Sequence, residues 1–217
     1  MTEPEGTRGP ERTAAPSDKG VDAAVAAARR VIASLLHAGD RSAAEMAKVA
    51  EQLNAVADHL DAHAPTMAER MADMWRGVGV TRHDPVMTRH DPVTGPQNAI
   101  APPLHLYGKE DGSVEGVVVL GMPYQGPPAC VHGGVSALLL DHVLGVANHW
   151  GRSPGMTAEL TLRYHRLAPL FTPLTVTGRQ LSVDGRKIRA AGAIYAEGKM
   201  CVSAEGLFIA KQIPSPC

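Results

Sequence analysis

One long apolar helix set among runs of strand pattern limits this chain more than any other feature. Residues 133–150 form that helix, opened by His132-Gly133-Gly134. Between Val135 and Ala147 the only strongly polar side chains are Ser136, Asp141 and His142. Apolar residues occur on every side, so the helix is expected to be buried all round. Strand patterns flank it: Leu104–Tyr107 and Ser113–Gly121 before, then Thr157–His165, Leu174–Val183, Lys187–Ala196 and Met200–Ala210 after. Asp184-Gly185 and Glu197-Gly198 separate the last three as hairpin turns, the first a strong signal and the second a weaker one. Two strands, one helix and a four-strand meander predict an α+β fold, an antiparallel sheet wrapped around one long central helix.

Within Thr157–His165 the residues alternate. Ala158, Leu160, Leu162 and Tyr164 are expected on one face, with Thr157, Glu159, Thr161 and Arg163 on the other.

The stretch before the sheet is helical. Val21, Val25, Ala28, Ile32 and Leu35 recur at helical spacing up to Gly39. Ser42 and Glu45 make a capping box for a second helix with the stripe Met46, Val49, Leu53, Val56, Leu60. Pro65, Thr66 and Glu69 start a third, reaching about Trp75. The stripes imply that these helices dock on their own domain or on a partner subunit. Residues 1–20, rich in Pro, Gly and charge, read as a disordered tail, residues 21–75 as an N-terminal helical extension, and 76–103 as a linker loop. Residues 104–211 are the sheet-and-helix domain. The linker contains a tandem heptapeptide, Thr81–Met87 and Thr88–Thr94. Its His83–Asp84 and His90–Asp91 pairs suggest a metal site less than they suggest a duplicated loop, because Asp-Pro steps favour extended or turn backbone. No metal is expected.

Composition removes several classes of partner. The 217 residues carry 21 basic and 22 acidic side chains, a net charge of -1, so no overall field favours nucleic acid. No run reaches the roughly 18 apolar residues of a membrane helix, and the first 20 residues have no signal-peptide core. Cys130, Cys201 and Cys217 form no framework, which fits a reducing, cytoplasmic location.

Asp141 is the chemical anomaly. A carboxylate on so apolar a helix is costly unless it is used or paired. Helix-start N–H groups at the glycines are available to an acceptor. An acid plus a polarising N–H is the equipment for hydrolysing a carbonyl compound. Gly134 lies seven residues before Asp141, two turns back on the same face, and about 10 Å away along the axis. Both reach one carbonyl only if Asp141 of one subunit meets Gly134 of another, so a catalytic reading requires a dimer.

His132-Gly133-Gly134 with Asp141 nine residues after the histidine, in this strand order, resembles the hotdog-fold acyl-CoA thioesterases of the PaaI-like branch. Thr157-Ala158-Glu159-Leu160, followed by Tyr164, Arg166 and Pro169, resembles that branch's next strand. Leu167 stands where relatives often carry a proline. The resemblance covers about residues 104–210. It implies hydrolysis of acyl-CoA to free acid and coenzyme A, with no cofactor beyond the coenzyme A of the substrate, in a homodimer or dimer of dimers with its site at the subunit interface. It implies that Asp141 is the general base, Thr157 helps hold the attacking water, the Gly134 N–H polarises the carbonyl and His132 lies near it, with Gly133 beside them. Arg186, Lys187 and Arg189 fit either coenzyme A phosphates or a solvated hairpin face. Two other readings stay open: an acyl-thioester hydratase or dehydratase, and a non-catalytic acyl-CoA-binding module.

Overall fold

A computed structural model describes residues 19–74, 89–102 and 104–210. The expected tail, save its last two residues, and the first heptapeptide copy lie outside them. Three helices come first: α1 (Lys19–Leu36), α2 (Ala43–Asp61) and α3 (Met67–Met74). The Ser42–Glu45 capping box forms as its residues suggest, each side chain bonding the other's backbone N–H.

The sheet domain contains β1 (His105–Gly108), β2 (Ser113–Val119), α4 (Gly133–Trp150), β3 (Met156–Tyr164), β4 (Pro173–Asp184), β5 (Lys187–Ala196) and β6 (Lys199–Ile209). The six strands form one antiparallel sheet in the order β1-β2-β4-β5-β6-β3, so β4, β5 and β6 meander, whereas β3 lies at the edge beside β6 and is not the first strand of the expected four-strand meander. Helix α4 contacts all of them. This is the hotdog arrangement.

Glycines seat the helix. A Cβ built on Gly178 of β4 would lie 2.7 Å from Val143 Cγ1, and one on Gly192 of β5 or Gly206 of β6 would lie 3.0 or 3.2 Å from a Leu144 methyl. Three neighbouring strands therefore give up side chains beneath Val143 and Leu144 so that α4 can sink onto the sheet. Leu139, Leu140, Val143 and Leu144 are then fully buried against Leu174, Val176, Ile188 and Ile194. Each such side chain contributes about 1.5–3 kcal/mol of burial.

Burial of α4 is one-sided, not all-round as expected. Ser136, Leu139, Leu140, Val143, Leu144, Val146, Ala147 and Asn148 are covered, while Gly134 and Leu138 are exposed and Asp141 and Gly145 half-buried. Within one chain Leu138 is left 39% exposed on the open face, beside two glycines and the Asp141 carboxylate.

The alternation expected along β3 also breaks. Leu160 pairs with Gly206, but Thr157 pairs with Phe208, with a register shift between Thr157 and Glu159. Ala158 is the extra residue of a β-bulge. Paired residues share a face, and Phe208 is in the core. The bulge thus turns Thr157 onto the helix side of the sheet instead of the outer side.

The segment read as a linker is packed from Arg89 onward. Val93 is 1% exposed and Ala101 0%. Among the described residues no helix is long and apolar enough to cross a membrane.

The glycine seat generates a prediction. Gly178→Ala should press on Val143 and destabilise the fold by about 1–3 kcal/mol, measured by urea denaturation, whereas alanine at Gly112, where the added Cβ meets nothing within 4 Å, should cost only the strain of its φ of +81°.

Candidate active site

Helix α4 begins at its N-cap, His132, whose extended backbone (φ −62°, ψ 136°) turns the chain into the helix. The Gly134 N–H donates to His132 Nδ1 at 3.0 Å. This imidazole thus does what a serine or aspartate usually does at a helix start. Because Nδ1 accepts, a neutral ring carries its proton on Nε2. The Gly133 N–H donates to no acceptor among the described residues, and is the helix-start amide still open. From β3, the Tyr164 hydroxyl donates to the Gly133 carbonyl at 3.0 Å. The His132 N–H donates to Tyr124 O at 2.9 Å, tying the cap to the 3₁₀ turn Met122–Tyr124.

Two and a half turns into α4, Asp141 Oδ1 accepts a hydrogen bond from Thr157 Oγ1 at 2.8 Å. The bulge at Ala158 makes this contact possible. Asp141 Oδ2 is left as an acceptor, and the carboxylate is half-buried beside the open face of the helix.

The structure therefore joins Asp141 with Thr157, and His132 with Gly133 and Gly134, as two separate groups on one helix. It does not join the groups to each other. Arg186, Lys187 and Arg189 are exposed at the β4–β5 hairpin. Lys187 and Arg189 flank buried Ile188, so they lie on the sheet face away from α4. They share the Thr157 end of the sheet, because Ile188, Phe208 and Thr157 align across β5, β6 and β3. The hollow of about 700 Å³ between α1 and α2 is lined by none of these residues.

Sequence reasoning passed over His142. Its side chain is 9% exposed, its Nδ1 lies 3.4 Å from Asp91 Oδ2, and its Nε2 lies 3.1 Å from Thr94 Oγ1. Burial holds this imidazole below its ordinary pKa, while the charges of Asp91 and Asp141 pull the other way. The only sequence signal was the Asp91-Pro92-Val93-Thr94 run, read as a turn in a loop.

Comparison with known proteins agrees with this architecture. The thioesterase superfamily model matches residues 130–203. A second model, described as the N-terminal helical domain of hypothetical protein RHA1_ro05818, matches residues 12–69. The crystal structure of protein RHA08564, a thioesterase superfamily protein, is 60% identical, with a TM-score of 0.79 over 91% of this chain and 94% of that one. Acyl-coenzyme A thioesterase THEM4 of Mus musculus is 31% identical over 91 residues, which is 41% of this chain and 39% of that protein. The Rattus norvegicus protein of the same name matches to the same extent. The match to these two curated relatives thus spans well under half of their length. The chain belongs to the thioesterase superfamily.

His142 should make stability depend on pH. Above the ring's ordinary 6.5 it is neutral in both folded and unfolded chains; below that, the unfolded chain takes up a proton that the buried ring resists. Stability should therefore fall as pH drops from about 7 to about 5, and His142→Gln should flatten that slope in urea melts.

Proposed function

We propose that this protein hydrolyses acyl-CoA thioesters, with Asp141 as general base. The observation that carries the reading is the Thr157–Asp141 hydrogen bond. It occupies one carboxylate oxygen, fixes the other, and uses a strand bulge to do so. In this reading a water bound to Asp141 Oδ2 gives up its proton as its oxygen attacks the thioester carbonyl. A C–O bond forms and the carbonyl electrons move onto oxygen. Collapse of that oxyanion breaks the C–S bond, and the coenzyme A thiolate takes the proton back from Asp141.

The oxyanion needs donors already aimed at it. Gly134, the donor expected from the sequence, is engaged with His132 Nδ1 within the chain. The reading therefore gives the oxyanion the Gly133 N–H and the His132 Nε2–H, with Gly134 holding the imidazole in the tautomer that makes this possible. The helix start adds its partial positive charge. The exposed cations Arg186, Lys187 and Arg189 supply charge suited to coenzyme A phosphates.

We further propose that the site is completed by a second copy. The two groups are about 10 Å apart along one helix, too far to share a carbonyl. Strand β3 is an edge strand, and the face bearing Gly134, Leu138 and Asp141 lies open beside it. An unpaired edge of nine residues next to an open helix face bearing exposed Leu138 is suited to pairing with its own copy. A cytoplasmic location goes with this reading.

A thiol-release assay over short, medium, long and aromatic acyl-CoAs tests it. Wild-type protein should release thiol, and Asp141→Asn should cut kcat by on the order of 10²- to 10⁴-fold, with melting temperature and oligomeric state by light scattering unchanged. Near-normal turnover by Asp141→Asn would refute the assignment. Consumption of an enoyl-CoA chromophore without thiol release would indicate a hydratase. Calorimetric binding of acyl-CoA without any turnover would indicate a binding module.

A further inference from the structure

The proposed mechanism uses Asp141 and leaves its neighbour His142 without a task, although the His142 side chain is only 9% exposed. Successive helical residues point about 100° apart. Asp141 reaches one flank of α4, toward Thr157 on β3. His142 reaches the other, toward residues 89–101. Adjacent residues are thus held from opposite sides by two different elements.

The segment on the His142 side is a knot of fixed shape. Asp91 Oδ1 accepts from the N–H groups of Val93 at 2.7 Å and Thr94 at 2.9 Å. The Gly95 N–H donates to Asp91 O and the Gln97 N–H to Arg89 O, at 3.1 and 2.9 Å. Asn98 Nδ2 donates to His90 O at 3.1 Å. The coil is so tight that a Cβ on Gly95 would lie 2.5 Å from Asp91 N and O. Val93 pins it to the core. Its far side is held by α1: Arg29 Nη2 donates to Asn98 O at 2.8 Å.

We propose that this strap clamps the roll of α4 about its axis, so that Asp91, Thr94 and His142 are positioning residues for Asp141. The inference rests on the reading of Asp141 as the base. Its physical reason is the character of the contact. An apolar contact would have covered the helix equally well, but apolar contact has no direction. The hydrogen bond between Thr94 Oγ1 and His142 Nε2 does have direction, and the Asp91 carboxylate 3.4 Å from Nδ1 holds the other edge of the ring by charge. With the strap on one flank and Thr157 on the other, the Asp141 carboxylate has one orientation. The His142 ring also feels the charges of two carboxylates, Asp91 from the strap and Asp141 from its own helix.

Three isosteric or near-isosteric variants of the full chain test this: Asp91→Asn, Thr94→Val and Thr94→Ser. With the acyl-CoA that wild type turns over fastest, Asp91→Asn and Thr94→Val should each lower kcat ~10- to 100-fold with KM within ~3-fold, the cost of a misplaced catalytic group. Thr94→Ser, which keeps the hydroxyl, should restore kcat. Hydrogen exchange over residues 138–145 should quicken in Asp91→Asn and Thr94→Val, a readout that needs no turnover. Unchanged exchange with kcat within ~2-fold of wild type would overturn the clamp. If wild type is inert on every acyl thioester while exchange still responds to Asp91→Asn and Thr94→Val, the thioesterase reading fails and the strap's hold on α4 stands.

Discussion

Everything chemical in this molecule depends on how closely α4 approaches the sheet. Gly178, Gly192 and Gly206 lie on three adjacent strands and open a trough into which Val143 and Leu144 descend. A helix seated a few ångströms higher would still cover the sheet. It would not bring Asp141 within a hydrogen bond of a strand residue, nor the Gly133 carbonyl within reach of Tyr164. The same depth buries the leucines that hold the domain together. Stability and site geometry are therefore set by one distance.

The seat also explains why the polar residues of α4 fall where they do. One arc of the helix is committed to the sheet. The remaining arc begins at Thr157 of β3 and ends at the strap, with Asp141 and His142 near its two borders. The helix is best described as a rod gripped along three lines, two of them polar. Residues 19–74 stand apart from this grip except through α1, which touches the 3₁₀ turn and holds the strap by Arg29. Helix α2 buries none of its residues in the single chain, so its stripe of Leu53, Val56 and Leu60 contributes little to the fold described here.

The helix and the six strands were legible because each rests on local pattern: an unbroken apolar run, alternation, a capping box and Gly-containing turns. Asp141 and the His-Gly-Gly start were legible because they break that pattern. Three features were not. His132 as a cap was hidden because an imidazole seldom plays that part. The grip of Asp91 and Thr94 on His142 was hidden because it joins residues nearly fifty positions apart, and the first heptapeptide copy carries the same Asp-Pro-Val. The facing of Thr157 was hidden because an alanine bulge leaves the period-two pattern looking intact: Ala158 is apolar where an apolar residue was due. One-sided burial of α4 was missed because Leu138 on the open face reads as core, although Gly134, Asp141 and Gly145 beside it do not.

The bulge bears on how such proteins are compared. The hydroxyl that bonds Asp141 sits on the helix side only because one residue is inserted beside it. Its separation from the acid along the chain is thus an accident of local strand geometry. A homologous strand without the insertion would need its hydroxyl displaced by one position to occupy the same point in space. Column-by-column alignment through β3 would then pair a functional side chain with one on the opposite surface. The equivalence that matters here is one of location, and only superposition recovers it.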